Sequence, residues 1–169
     1  TLGGWVRDRA RITPERVAID YLERTVTYAD LDASSSALAA EFTDRGLARG
    51  DRVAVLADNC PEYVAVFFAC AKAGLVMTPL NWRLTVPELA YQLDHSEAGL
   101  LVFSAGRAEQ ASAAVAAVAK PPAVRDLESP ADPGGDVDGT VLDDDPLLLV
   151  YTSGTTGHPK GAVLTHANC

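Results

Sequence analysis

The sequence is poor in cysteine and has no long apolar run. Its three cysteines, Cys60, Cys70 and Cys169, have neither the spacing of a metal site nor the number that a disulfide framework needs. We interpret them as reduced thiols, which predicts a cytoplasmic protein. No apolar run approaches the roughly 20 residues of a membrane-spanning helix. The first residues also lack the basic start and the apolar stretch of a signal peptide.

Basic residues are outnumbered by acidic ones. The chain has 14 Lys and Arg against 23 Asp and Glu, a net charge of −9, which argues against nucleic acids and anionic membrane surfaces as partners. Eight of the acids lie between Asp126 and Pro146, where there is no Lys or Arg. Residues 121–146 also accumulate Pro and Gly and lose apolar periodicity. They are therefore predicted to be a solvated acidic connection between an α/β subdomain (1–120) and the start of a second subdomain (147–169).

Apolar periodicity before residue 120 alternates between strand and helix. Two short strands are predicted within 17–28, followed by strands at 51–57, 75–80 and 99–103 and by helices starting at 27, 62, 85 and 107. Thr27 with Asp30, and Thr85 with Glu88, have the spacing of a helix capping box. His95 is placed at a helix end. The alternation predicts the α/β class, with a parallel-type sheet flanked by helices.

A loop rich in glycine and hydroxyl side chains follows a predicted buried strand at 147–151. Residues 152–161 read TSGTTGHPKG. Glycines let the backbone approach a ligand closely, and exposed amide groups in such a loop form a concavity that binds anions. Ser and Thr hydroxyls and Lys160 add further donors. These features predict a phosphate-binding loop between two strands, the second at 162–165.

The loop does not match the other common phosphate motifs. A Walker A loop has four residues between its first Gly and a Gly-Lys pair that is followed by Ser or Thr. Here two residues separate Gly154 from Gly157, and Lys160 is followed by Gly161. There is no GxGxxG fingerprint either. The residues alone leave open a polar hairpin loop with a surface lysine.

Residues 151–161, with Thr165 and His166 after them, resemble the phosphate-binding signature of adenylate-forming enzymes. This superfamily includes acyl-CoA synthetases, adenylation domains of nonribosomal peptide synthetases and firefly luciferase. Segments 25–31, 50–55 and 72–81 also resemble its N-terminal half, so the resemblance covers the chain apart from the acidic connection. It implies the N-terminal part of the large domain, ending in a β-hairpin phosphate loop.

The resemblance also implies an activity and its cofactors: an AMP-forming acid–thiol ligase of fatty acid or related acyl metabolism. Such an enzyme uses ATP, Mg²⁺ and coenzyme A to convert a small-molecule carboxylic acid first to an acyl-adenylate and then to a thioester. By this resemblance the phosphates are held by Thr152, Ser153, Gly154, Thr155, Thr156, Gly157 and Lys160, with Thr152 also near Mg²⁺. No catalytic residue is expected in the chain, because the family's acyl pocket and catalytic lysine lie downstream.

Family members are several times longer than this chain. We therefore interpret it as part of a longer enzyme, inactive alone, whose missing partner is the rest of the same polypeptide. Two alternatives stay open: an adenylation domain that acts with a carrier protein, and a non-catalytic phosphate-binding or interaction fragment. His166 is expected to order a helix entry, and Trp5 and Trp82 to be core or interface anchors.

Overall fold

The computed structural model describes residues 1–132, 140–152 and 159–169. Within these ranges the helices are α1 (Leu2–Ile12), α2 (Tyr28–Asp44), α3 (Pro61–Ala73), α4 (Val86–Ser96) and α5 (Ala108–Ala116). The strands are β1 (Val17–Tyr21), β2 (Arg24–Thr27), β3 (Arg52–Leu56), β4 (Val76–Pro79), β5 (Leu100–Phe103), β6 (Ala123–Asp126), β7 (Pro146–Thr152) and β8 (Lys160–Thr165). None of the helices in these ranges is both long and apolar enough to cross a membrane.

The main sheet has six strands in the order β6-β5-β3-β4-β7-β8 among the described residues. Every neighbouring pair is parallel except the antiparallel hairpin of β7 and β8. Side chains alternate across the sheet. Val53 and Val55 therefore join the core under α1, α2 and α3, whereas Ala54 and Leu56 join the core under α4 and α5. The α/β class, with a mostly parallel sheet between helical layers, is confirmed.

The predicted helix boundaries follow from local chemistry. At the start of α2, the Asp30 amide donates to Thr27 Oγ1 at 3.1 Å and the Thr27 amide donates to Asp30 Oδ2 at 3.0 Å. Glu88 receives the Thr85 amide in the same way before α4. Gly74 ends α3 in the left-handed conformation, with φ of 67°, which a glycine adopts without steric cost. His95 lies in the last turn of α4, as predicted.

Helix α1 has no counterpart among the elements predicted from the sequence. It packs against α2 and α3 because its glycine face allows a close approach to α3. A Cβ atom on Gly3 would lie 2.8 Å from the Ala71 carbonyl oxygen and 3.0 Å from Lys72 Cα. Only backbone atoms of α3 lie at these distances, so a side chain here would displace a helix rather than rotate a neighbour.

This contact predicts opposite effects for two adjacent glycines. We expect Gly3→Ala to destabilise the chain by about 1–3 kcal/mol through overpacking. We expect Gly4→Ala to stabilise it by about 0.5–1 kcal/mol, since alanine favours a helix and its Cβ would meet only Thr1 Oγ1, at 3.4 Å. Urea denaturation of both variants measures the difference. Equal free energies of unfolding would show that α1 does not approach α3 this closely.

The predicted acidic connection at 121–146 begins with a strand, and its residues 133–139 lie outside the described residues. Residues 123–126 form β6, which pairs in parallel with β5 and is one edge of the sheet. Arg125 and Leu127 are buried there. The acidic residues around them interrupt the apolar pattern from which a strand is predicted. Tertiary contacts stabilise this strand instead.

The prediction of a buried strand at 147–151 holds only for Leu147. That residue is fully buried, but residues 148–151 are half-buried. Strand β7 lies next to the hairpin edge, and its partner β8 carries Val163 with 56% of its surface exposed. β7 pairs with β4 at Leu148 and Met77, so it belongs to the same sheet as β3, β4, β5 and β6.

Candidate phosphate-binding site

The candidate site is the loop end of the β7–β8 hairpin. Thr152 is the last residue of β7 and lies opposite Lys160, the first residue of β8. Thr152 Oγ1 donates to the Lys160 carbonyl oxygen at 3.5 Å, a long contact at the mouth of the loop. Strands β7 and β8 are antiparallel, in agreement with the two strands predicted on either side of these residues. Ser153, Gly154, Thr155, Thr156 and Gly157 lie outside the described residues.

Lys160 is a solvent-exposed cation at this loop end. Its side chain forms no ion pair with any carboxylate of the described residues, so its charge is not neutralised within them. An exposed ammonium beside a strand end is chemically suited to a phosphate group. The loop also opens at the carboxyl end of β7, which runs parallel to β4, and ligands of α/β sheets bind beyond the carboxyl ends of parallel strands.

The described residues beside the loop supply only part of the oxygen ligands that Mg²⁺ needs. Thr152 supplies one exposed hydroxyl oxygen, a ligand type that Mg²⁺ accepts. The described residues contain no group of three or more His, Cys, Asp or Glu side chains able to hold a metal ion. An ion bound here would therefore take most of its oxygen ligands from a nucleotide and from water.

Helix α4 contacts Tyr151 in β7 and Pro159, the residue before β8. His95 Nδ1 lies 2.7 Å from the Tyr151 hydroxyl, and the two rings meet edge to face with centroids 5.7 Å apart. Tyr91, one helical turn earlier, stacks on His95 at 5.4 Å and donates its hydroxyl to the Pro159 carbonyl oxygen at 3.4 Å. Burial raises the pKa of Tyr151 to about 12, so its hydroxyl keeps its proton at neutral pH.

The sequence alone does not predict that α4 contacts the hairpin. The four-residue spacing of Tyr91 and His95 shows that they share one helix face. It does not show that this face points at the strands beside the loop, because only the sheet order places β7 next to β4 and within reach of α4.

His166 has a structural position. Its imidazole is buried, and Nδ1 accepts the Leu2 amide at 3.3 Å, which links the end of β8 to the start of α1. Burial lowers its pKa and favours the neutral ring. It begins the short 3₁₀ turn His166–Asn168, in agreement with its predicted role at a helix entry.

The chain matches known proteins along nearly all of its length. The family model described as "AMP-binding enzyme" matches residues 6–169, so the chain belongs to the AMP-binding enzyme family, as its loop predicted. It is 41% identical to a feruloyl-CoA synthase of Amycolatopsis sp. over 99% of this chain and 34% of the relative. It is 37% identical to the long-chain-fatty-acid–CoA ligase FadD13 of Mycobacterium tuberculosis over 96% of this chain and 35% of the relative.

A solved structure shares the fold. The O-succinylbenzoate coenzyme A synthetase MenE of Bacillus subtilis, in complex with AMP, superposes with a TM-score of 0.82 at 32% identity, over 95% of this chain and 42% of that one. The chain spans about a third of the length of the curated relatives described above.

Proposed function

We propose that the chain is the phosphate-binding part of an AMP-forming acid–thiol ligase, which makes an acyl-CoA from a carboxylic acid, ATP and coenzyme A. The observation that carries the proposal is the glycine- and hydroxyl-rich loop, which begins at Thr152 and ends beside the exposed Lys160 at the carboxyl end of β7. The named relatives support coenzyme A as the acceptor rather than a carrier protein. The bound AMP of MenE supports an adenylate chemistry.

In the first half-reaction a carboxylate oxygen attacks the α-phosphorus of ATP. The bond between that phosphorus and the bridging oxygen breaks, and pyrophosphate leaves with the electron pair. Lys160 and the donors of residues 152–157 hold the β- and γ-phosphates and neutralise the charge that develops on the leaving group. The Thr152 hydroxyl would be a ligand for Mg²⁺, which would supply further charge neutralisation.

In the second half-reaction the thiol sulfur of coenzyme A attacks the acyl carbon and gives up its proton to solvent, and AMP leaves with the electron pair of the broken C–O bond. Pyrophosphate is already gone at this step, so Lys160 acts in the first half-reaction. No residue of the described ranges is assigned to the acyl group or to the thiol. The rest of the polypeptide is proposed to supply both sites and to cover the half-exposed β7–β8 hairpin.

Two further features stay predictions of this proposal. Residues 1–120, 121–146 and 147–169 are proposed to be an α/β subdomain, an acidic connection and the beginning of a second subdomain, although β6 lies in the middle range and β7 extends the sheet of the first. A cytoplasmic location rests on the three free cysteines, of which Cys70 is buried and Cys60 half-buried.

The proposed function is tested with the complete protein. We expect exchange of labelled pyrophosphate into ATP that depends on an added carboxylic acid, and formation of the matching acyl-CoA when coenzyme A is present. Because the relatives are named for ferulate and for long-chain fatty acids, both classes belong in the substrate panel. Absence of acid-dependent exchange with every acid of the panel would contradict the proposal.

A separate prediction concerns residues 1–169 alone. We expect no pyrophosphate exchange from them, because the acyl pocket and the catalytic lysine that the resemblance implies are not among these residues. The complete protein, assayed with the same acids, is the positive control. Exchange by residues 1–169 above a reaction without protein would show that they contain an entire adenylation site.

A further inference from the structure

Helix α4 contacts the two residues that come directly before Thr152 and Lys160 in the chain. Tyr151 directly precedes Thr152, and Pro159 directly precedes Lys160. His95 holds the first through a 2.7 Å hydrogen bond, and Tyr91 holds the second through a 3.4 Å hydrogen bond. The stacking of Tyr91 on His95 makes the two contacts one unit. We call Tyr91, His95 and Tyr151 the aromatic clamp.

Helix α4 is a firm support for this clamp. Its apolar face is buried in the core through Leu89 and Leu93, which are 0% and 3% exposed. Its start is fixed by the hydrogen bond from the Thr85 amide to Glu88. A side chain carried by such a helix holds its position better than one on a loop.

The hairpin itself is less buried than α4. Residues 148–151 are only half-buried, and Thr152 and Lys160 are exposed. The Thr152 hydroxyl reaches the Lys160 carbonyl only at 3.5 Å. Strand pairing sets Lys160 opposite Thr152, and α4 adds one contact to the residue before each of them, Pro159 and Tyr151.

We propose that the aromatic clamp positions Thr152 and Lys160 for the phosphates of ATP, so that Tyr91 and His95 are positioning residues of the adenylation step. This inference rests on the proposed function of the loop. A displaced Lys160 loses alignment with the leaving pyrophosphate, and misplacements of about 1 Å can cost up to 100-fold in rate. Thioester formation, which follows pyrophosphate release, does not use this alignment.

The test compares variants of the complete protein in the two half-reactions. We expect His95→Ala to raise the KM for ATP and to lower kcat/KM for pyrophosphate exchange about 10-fold. The rate of thioester formation from a supplied acyl-adenylate should stay within about twofold of the parent. His95→Asn should recover most of the loss, since its amide can hydrogen bond near the position of Nδ1. Tyr151→Phe should lose as much as His95→Ala.

Asp94→Ala is the matched control. Asp94 is exposed in the same turn of α4, and from the described residues its carboxylate receives only a 3.5 Å hydrogen bond, from the Ala119 amide. We expect its KM for ATP to equal that of the parent. Thermal unfolding of all variants should show similar midpoints, because His95 is exposed and its removal leaves the core intact.

Two results would overturn the proposal while leaving the function of the loop in place: a His95→Ala variant that behaves as Asp94→Ala does, or one that slows both half-reactions equally. Failure of the proposed function looks different, since the parent protein itself then shows no acid-dependent exchange.

Discussion

Replacing Lys160 with alanine in the complete protein should slow adenylation about 100-fold and leave thioester formation almost unchanged. The exposed ammonium stands where the loop rejoins β8, and none of the described carboxylates neutralises it. It is proposed to neutralise charge on the departing pyrophosphate, and that group has left before the thiol attacks. Acid-dependent pyrophosphate exchange measures the first step, and turnover of a supplied acyl-adenylate with coenzyme A measures the second.

The control for this experiment is Lys120→Ala. Lys120 is also exposed, but it lies just after α5, beside Asp94 and Arg52 at the opposite end of the parallel strands. Removing it changes the net charge by the same amount without touching the hairpin, so we expect both half-reactions to keep their rates. Equal slowing of the two half-reactions by Lys160→Ala would contradict the role assigned to it.

Replacing Arg125 with methionine should destabilise the chain by about 3–5 kcal/mol. The Arg125 side chain is 3% exposed, and its guanidinium binds both carboxylate oxygens of Glu41 at 2.9 and 3.0 Å. It also donates to the carbonyl oxygens of Asp126 and Ser129, at 2.7 and 2.9 Å. Methionine fills a similar volume but leaves these acceptors without their donor, and a buried acceptor without a partner is costly.

Arg45→Met tests the same carboxylate from the solvent side. Arg45 also binds Glu41, with Nη2 at 2.8 Å, but its side chain is 40% exposed. An ion pair this accessible to water contributes about 0–1 kcal/mol. Chemical denaturation of both variants near neutral pH measures the two free energies of unfolding. If Arg45→Met cost as much as Arg125→Met, burial would not determine how much each arginine contributes to stability.

The Arg125 prediction has a pH dependence of known sign. Partial burial raises the pKa of Glu41, but the hydrogen bonds and charges of Arg125 and Arg45 outweigh burial and hold it below its ordinary value. The contribution of the pair is therefore fully present above the unfolded-state pKa of about 4.3, and it is lost as the pH falls through the folded-state value. Arg125→Met should lie closer to the parent at about pH 3 than at about pH 7.

Local patterns predicted most of the elements. Thr27 with Asp30, and Thr85 with Glu88, marked helix starts because a capping box satisfies amide groups within a few residues of the chain. Gly74 ends α3 for an equally local reason, its left-handed backbone. Helix α1 was not predicted because its stability depends on the close approach of Gly3 to α3. No pattern of neighbouring residues in the sequence indicates that contact.

The candidate site was predicted to a similar extent. The composition of residues 152–161 predicts a phosphate loop between two strands. The antiparallel pairing of β7 and β8 confirms the two strands, and phosphate binding stays a prediction. The aromatic clamp was not foreseen. Tyr91 and His95 lie about 60 residues from the strands they contact, and no periodicity or motif connects residues so far apart in the chain.

The sequence by itself therefore determined that this is an α/β chain of the AMP-binding enzyme family with a glycine- and hydroxyl-rich loop. It did so because strand periodicity, helix caps and loop composition are properties of neighbouring residues. Only the tertiary structure decided that part of the acidic segment forms β6, the edge strand of the sheet. The burial of Arg125 against Glu41 holds it there. It also decided that α4 contacts Tyr151 and Pro159, because contacts between distant segments depend on sheet order and helix packing.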